Sequence, residues 1–203
     1  MILFNRDVLF VHNPKTAGTS LLKWLGDALP DAHVAGVREL GTHHPHLPLA
    51  LRHACAVTGN APDQFKCILA VVREPVSRER SMYAHFRNLS TREDTPANLN
   101  DPAMERWVRL SAECDANAYM RALESELGHC DIWRSREFYR LAGARPANMR
   151  VLRLSRLQDD LASALRDVRN HFSLQTLPEL NPSGGSGVAF DERSVDFIAR
   201  SYA

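Results

Sequence analysis

The sequence has no long apolar run, no excess of charge of one sign and no closely spaced cysteine pair. Although 44% of its 203 residues are hydrophobic, no stretch approaches the roughly 18 apolar residues that a transmembrane helix needs. Its 25 lysines and arginines nearly balance 24 aspartates and glutamates, a net charge of +1. Partnership with nucleic acid or with a membrane surface is therefore not expected. Any anion-binding site must be local.

The cysteines and the N-terminal residues favour a cytoplasmic protein. The cysteines lack C-x-x-C spacing, so free thiols in a reducing compartment are expected; they are Cys55, Cys67, Cys114 and Cys130. Arg6 and Asp7 interrupt the first apolar residues, which argues against a signal peptide. The length fits a single domain over 1–203.

The stretch Val8 to Trp24 carries the strongest functional signal. Its first four residues, V-L-F-V, have the composition of a buried parallel strand. A turn at Asn13-Pro14 follows, then K-T-A-G-T-S, and then a segment with helical spacing of leucines. The first N–H groups of a helix lack internal partners and lie at the positive end of its dipole, so they bind phosphate. We interpret this stretch as a loop that binds phosphate or sulfate.

The residues of the loop suit that role. Lys15 supplies a mobile positive charge, and Gly18 lets the backbone approach a ligand closely. Hydroxyl donors come from Thr16, Thr19 and Ser20. The lysine precedes the glycine, whereas a Walker A loop, G-x-x-x-x-G-K-[ST], has it afterwards. This order argues against a nucleotide kinase. A strand-turn-helix corner with an incidental lysine is the plain alternative.

The same layout recurs at V-V-R-E-P-V-S-R-E-R-S-M-Y, which follows the clearest buried strand, 65–72. Arg73 stands where that strand ends, and ligands of open α/β sheets bind at strand ends. A guanidinium makes a bidentate contact with phosphate, and the hydroxyl of Ser81 can complete it. For Arg78 and Arg80 we expect surface ion pairs with glutamates.

The two segments together resemble the sulfotransferases that use 3′-phosphoadenosine 5′-phosphosulfate (PAPS), especially the carbohydrate-type branch. H-N-P-K-T-A-G-T-S is similar to that family's 5′-phosphosulfate loop, and R-E-P-V-S-R-E-R-S-M-Y to its 3′-phosphate motif, R-[DN]-P-x-x-R-x-x-S-x-Y. Glu74 and Ser155-Arg156 depart from the family pattern. The resemblance implies an α/β domain with a central parallel sheet flanked by helices, a P-loop-kinase-like sulfotransferase fold.

The resemblance also implies roles for single residues. It places PAPS, and its product 3′-phosphoadenosine 5′-phosphate (PAP), against Lys15, Thr16, Ala17, Gly18, Thr19, Ser20, Arg73 and Ser81. Lys15 would also be catalytic, because it neutralises charge on the leaving phosphate. No metal is expected, since these donors do what magnesium does in kinases. The acceptor class is a carbohydrate or a small metabolite, and the oligomeric state is not predicted.

Histidines 43, 44 and 46 lie between the two motifs, in H-H-P-H. A histidine suits a general base near neutral pH, and related enzymes place a catalytic histidine in this region. We rank His44 first and His46 second. Solvated loop histidines and a zinc site are the alternatives; for zinc, a fourth ligand at a known spacing is missing. His12 is expected to support the loop by hydrogen bonding rather than to react. A nucleotide-binding protein without transferase activity is the alternative function from another class.

Helical spacing or strand composition marks several further segments. Strands are predicted near 32–35 and 149–154, and helices near 157–172 and 191–202. Apolar positions recur at helical spacing over 102–127, where Trp107 and Tyr119 are expected to pack in a core. The polar stretch 89–101 is predicted to be a loop or lid, and with the basic, aromatic region 133–145 it would determine the acceptor.

Overall fold

The computed structural model describes residues 1–29, 31–42, 44–91, 102–126, 136–168 and 187–202. His43, nearly all of the predicted lid, part of the basic region and most of the glycine-rich loop after 181 lie outside these residues. The chain divides into two compact units. The first comprises Met1–Arg73 and Ser135–Asn181, and the second Glu74–Arg134 and Pro182–Ala203. That residues 1–203 form a single domain stays a prediction.

The first unit is an α/β structure with a five-stranded mixed sheet. Its strands are β1 (Ile2–Phe4), β2 (Val8–Val11), β3 (His33–Ala35), β4 (Cys67–Val72) and β5 (Met149–Arg153), in the order β3-β1-β2-β4-β5. The predicted parallel pairing holds for β2, β4 and β5. It is wrong for β1, which runs antiparallel to both β2 and β3.

The antiparallel part begins with a tight hairpin that the sequence did not signal. The side-chain oxygen of Asn5 accepts from the amides of Asp7 and Val8, at 2.9 and 2.8 Å. The amide of Asn5 donates to the carbonyl of Val8. This local Asx-type turn reverses the chain and pairs β1 with β2. Three apolar residues are too few to show strand periodicity, so β1 was not predicted.

Helices follow in chain order along both units. They are α1 (Gly18–Ala28), α2 (Val37–Leu40), α3 (Leu47–Thr58), α4 (Pro75–Ser90), α5 (Pro102–Glu113), α6 (Ala116–Glu126), α7 (Leu157–Ala164) and α8 (Glu192–Ser201). The predicted helix over 157–172 is shorter in the structure: α7 ends at Ala164, and a 3₁₀ turn follows at Arg166–Val168. None of the helices in the described ranges has the length and apolar character needed to cross a membrane.

The core of the first unit lies between the sheet and its helices. Every residue of β2 is buried, as are the first five of β4. Strands that are covered on both faces have continuous apolar sequences, and for this reason β2 and β4 could be predicted. The core residues include Phe10, Leu21, Leu25, Leu69, Val71, Leu152 and Leu161. Helices α1, α3 and α7 contact strands of the sheet and so flank it.

An ion pair joins the end of β5 to α7. The guanidinium and the backbone amide of Arg153 both donate to the carboxylate of Asp160, at 2.9 to 3.1 Å. These hydrogen bonds lower the pKa of Asp160 to about 2. Since a carboxylate near the start of a helix is also favoured by the dipole, this contact stabilises the β5–α7 turn.

The second unit is helical and has its own core. That core is formed by Met82, Tyr83, Phe86, Val108, Tyr119, Met120, Leu123, Phe197 and Ile198. The ring of Trp107 packs edge-on against Tyr119, with centroids 6.0 Å apart, so their predicted packing role is confirmed. The predicted helical stretch 102–127 is interrupted after Glu113. There Asp115 accepts from the amide of Ala118 and begins α6.

A buried charged cluster lies in this second unit. Arg78 and Glu79 are 2% and 1% exposed and form an ion pair at 3.4 Å. The hydroxyl of Tyr202 accepts from Arg78 and donates to Glu79. The expectation of a surface ion pair for Arg78 is therefore wrong, because the pair is enclosed and satisfied by a tyrosine far along the chain.

Candidate functional site

The loop after β2 and the residue after β4 lie at one edge of the sheet. Strands β2 and β4 are parallel neighbours, with Val11 opposite Ala70. Their carboxyl ends therefore point the same way, which places the Lys15 loop beside Arg73. This edge is where ligands bind in open α/β sheets.

The backbone of the loop has an unusual shape. Lys15 and Ala17 have φ of 61° and 60°, in the left-handed region, whereas Thr16 between them does not. Left-handed residues of this kind occur in backbone nests, where successive amides point toward one side and bind anions. The hydroxyl of Thr16 donates to the carbonyl of Asn13 at 2.8 Å. Thr16, 1% exposed, therefore holds the loop closed with the hydroxyl for which a ligand contact was predicted.

Helix α1 begins directly after this turn, with Ala17 as its N-cap residue. Alanine has no side-chain oxygen to cap the helix, and the first turn contains no acidic residue. By contrast, α4 and α8 are capped by the carboxylates of Glu74 and Asp191. The positive end of the α1 dipole is thus not neutralised by its own turn, which favours an anionic ligand.

Lys15 and Arg73 bring two positive charges together at this edge. The Nη1 of Arg73 donates to the carbonyl of Lys15 at 3.4 Å. Burial, and then the charge of Arg73, lower the pKa of Lys15 below its usual 10.5. The positive charge of Arg73 disfavours the ammonium form of Lys15, and an anion bound beside both groups would offset that repulsion. Among the described residues of the first unit, we take this pair as the main electrostatic indication of an anion site.

The ring of His12 explains why residue 18 is a glycine. A Cβ on Gly18 would lie 1.7 Å from Cδ2 and 2.0 Å from Nε2 of His12. His12 is only 6% exposed, at the end of β2. Gly18 therefore admits a buried imidazole, a reason that the sequence did not suggest. This contact is steric, whereas the support predicted for the loop was hydrogen bonding.

His44 lies against the same residue. Its Nδ1 is 3.3 Å from the carbonyl oxygen of His12, and the two rings meet edge to face with centroids 4.8 Å apart. A carbonyl can only accept, so Nδ1 carries the proton of this hydrogen bond. The lone pair of a neutral His44 is then on Nε2, the state that a general base requires.

His46 has a different task. Its Nδ1 accepts from the amide of Leu49 at 3.4 Å and caps the N-terminus of α3. This contact requires an unprotonated Nδ1, since an imidazolium has no acceptor. The structure thus gives His46 a structural function and makes His44 the better-placed candidate base. Among the described residues, no group of histidines, cysteines or carboxylates could hold a metal ion.

The second predicted phosphate contact is divided between the two units. Arg73 belongs to the first unit, whereas Ser81 lies on α4 of the second and is 3% exposed. Their common contact with a 3′-phosphate stays a prediction. Glu74, the departure from the family motif, accepts from the amides of Val76 and Ser77 at 2.8 and 2.7 Å. Glu74 therefore caps α4, a role for which the shorter Asp and Asn are the preferred residues at helix N-termini.

One further side chain at the sheet edge was not anticipated. The hydroxyl of Tyr139 donates to the carbonyl of Val71 at 3.1 Å, close to the end of β4. The only signal in the sequence was the basic, aromatic character of the surrounding region. Tyr139 thus supports the strand from which Arg73 extends.

Comparison of the chain with protein-family models, with curated proteins and with solved structures gave no match.

Proposed function

We propose that the chain is a PAPS-dependent sulfotransferase with the family's α/β fold. It would move a sulfuryl group to a hydroxyl or amine of an acceptor, with a carbohydrate or a small metabolite as the acceptor class. One observation carries the proposal: Lys15 and Arg73 meet beside the turn that opens α1. The resemblance of both motifs specifies which anion this arrangement would bind.

The donor set fits a nucleotide that carries phosphate and sulfate groups. The turned backbone at Lys15 and Ala17, the uncapped start of α1 and two cations all favour negative charge. Thr19, which is exposed, and Ser20 add hydroxyls at the first turn of the helix. Bound PAPS would supply an activated sulfuryl group attached to a phosphate leaving group. No metal is needed for this binding, because the cations are already provided by the chain.

The residues of the site would then act mainly through position and charge. Sulfuryl transfer resembles phosphoryl transfer, in which charge grows on peripheral and leaving oxygens. The Lys15 ammonium would neutralise that charge, and the α1 amides would hold the 5′-phosphate. His44 would take the acceptor's proton at Nε2, while the carbonyl of His12 keeps the ring in the required tautomer.

Calorimetry with PAP in the presence of EDTA tests the proposal. We expect PAP to bind without metal, and Arg73→Ala to weaken binding about tenfold or more. A charge-assisted hydrogen bond contributes roughly 1.5–3 kcal/mol, and about 1.4 kcal/mol corresponds to tenfold. Ser81→Ala should weaken binding less, since its hydroxyl is neutral.

Matched controls are available on α1 and α3. Lys23 on α1 and Arg52 on α3 are exposed and lie outside the loop, so Lys23→Ala and Arg52→Ala should leave PAP affinity unchanged. Tighter binding of ATP than of PAP would support a nucleotide kinase instead. PAP binding without sulfuryl transfer to any hydroxyl or amine tested would support a nucleotide-binding protein.

A further inference from the structure

We infer that His12 is a positioning residue whose buried imidazole sets both the start of α1 and the orientation of His44. The catalytic meaning of this inference rests on the proposed function, whereas its structural part does not. The observation is that one ring contacts both the first residue of the phosphate-binding helix and the candidate base.

The contact with α1 leaves no room for any side chain. A Cβ at position 18 would approach three atoms of the His12 ring to between 1.7 and 2.5 Å. Such atoms essentially never come closer than about 3 Å, so either the ring or the helix would have to move. The ring also neighbours that of Phe10, which is fully buried, with centroids 6.3 Å apart and an interplanar angle of 21°. The ring therefore sets how close α1 lies to the end of β2.

The contact with His44 has two parts. The carbonyl of His12 accepts a hydrogen bond from Nδ1–H of His44. The two rings also contact each other, with an interplanar angle of 74°. The first part selects the tautomer, and the second limits rotation of the ring about its side-chain bonds. Because both come from one residue at the end of β2, the base and the phosphate loop share a single support.

This arrangement predicts that removing the His12 ring relieves the effect of a side chain at position 18. Gly18→Ala should weaken PAP binding more than tenfold and lower the unfolding midpoint, because α1 is displaced. In a His12→Ala background the space is open, so adding Gly18→Ala should change PAP affinity and the unfolding midpoint little. Gly26→Ala is the matched control on α1: its Cβ would meet only Leu3, at an ordinary 3.7 Å, so it should be harmless in both backgrounds.

Comparison of Gly18→Ala with the double variant can contradict the inference. Equal losses from Gly18→Ala with and without the His12 ring would show that the ring is not what fills the space. If Gly18→Ala alone fails to fold, folding of the double variant would itself be the rescue. Failure of both would count against the inference, provided that His12→Ala alone folds.

A spectroscopic test reports on His44 without any nucleotide. In ¹⁵N NMR of the imidazoles, we expect His44 to show the Nδ1-protonated tautomer in the wild type. In His12→Ala the backbone carbonyl is retained, but without the His12 ring beside it the His44 ring can rotate away from that carbonyl, so the signal should move toward a mixture of tautomers. His53→Ala, which alters a ring packed on Phe4, is the control and should not change His44.

An unchanged His44 tautomer in His12→Ala would contradict the positioning role. Both readouts separate the inference from the proposed function. If PAP does not bind but the stability rescue and the tautomer change are observed, the sulfotransferase proposal fails and the structural coupling stands. If PAP binds and neither effect is observed, the inference fails and the proposal stands.

Discussion

Lys15 shows most directly how the fold changes the chemistry of a single residue. It is half-buried and lies beside Arg73, and both circumstances disfavour its ammonium form. Its lowered pKa means that the folded protein binds this proton less strongly than the unfolded chain does. Keeping Lys15 charged thus costs stability at neutral pH, and that cost disappears as pH rises toward 10.5. A bound anion offsets this cost, because it favours the protonated form of Lys15.

PAP affinity should therefore depend on pH above neutrality. The phosphates of PAP are fully ionised above about pH 7, so Lys15 is the group that titrates. We expect affinity to be constant while Lys15 is protonated. Affinity should then fall once the pH exceeds the lowered pKa of Lys15. Between that pKa and pH 10.5, the loss should approach about tenfold per pH unit. Calorimetry between pH 7 and 10.5 measures the dependence.

The control for this prediction is Lys15→Arg. A guanidinium stays charged throughout the range, so its curve should be flat even if its affinity is lower. A flat curve for the wild type would mean that the charge of Lys15 does not contribute to PAP binding.

At the level of helices and strands, helix capping distinguishes the two histidines that the sequence offered as candidate bases. His46 caps α3 through Nδ1, whereas His44 uses its Nδ1 to donate to a carbonyl. Two histidines in one short segment thus need opposite protonation of the same ring atom. A cap is a property of the helix that follows it, so only the position where α3 begins distinguishes the two.

Substitutions should separate catalysis from capping. His44→Ala should lower turnover roughly 10²–10⁴-fold with little change in PAP affinity, the usual loss for a positioned general base. His46→Ala should keep most of the turnover and lose about 1 kcal/mol of stability, the usual value of an N-cap. His46→Asn restores a good cap and should recover that stability. Turnover and chemical denaturation measure the two effects.

Two outcomes would contradict this assignment. Wild-type turnover in His44→Ala would remove the histidine as base and point to a carboxylate. A loss of turnover in His46→Ala that His46→Asn does not recover, with stability restored, would make His46 the base.

At the scale of the whole molecule, each compact unit has its own core and its own buried polar contacts. In the second unit, Arg78, Glu79 and Tyr202 contact one another, and the single hydroxyl of Tyr202 contacts both charges. Burying charges is unfavourable unless their hydrogen bonds are complete. This cluster therefore connects the start of α4 to the residue that follows α8.

Tyr202→Phe should destabilise the second unit by roughly 1–3 kcal/mol, because two buried charges lose a hydrogen-bond partner. Hydrogen exchange of the α4 and α8 amides measures the change. Ser201→Ala is the control: within the described part of the chain, its hydroxyl donates to the carbonyl of Phe197 inside α8, so exchange should be close to wild type. Unchanged protection in Tyr202→Phe would show that the cluster contributes nothing to stability.

Much of the fold was predictable because its signals are local. Continuous apolar runs identified β2 and β4, and a turn with a glycine and hydroxyls identified the start of α1. The prediction was wrong where local signals were short or misleading. The three residues of β1 show no period, and the helical spacing over 102–127 continues across a break that Asp115 creates by capping α6.

The two strand-loop-helix segments, their order and the residue types that favour an anion can all be recognised from the chain before it is folded. Which of those residues lie in contact depends on the folded arrangement. Arg73 reaches Lys15 across 58 residues, and His44 reaches His12 across 32, because β2 and β4 pair in parallel and the intervening chain returns to the same edge. The contact of His12 with Gly18 likewise depends on the left-handed turns at Lys15 and Ala17. Residue types are read directly from the chain, whereas distances between them follow from strand pairing and side-chain packing, which no local pattern specifies.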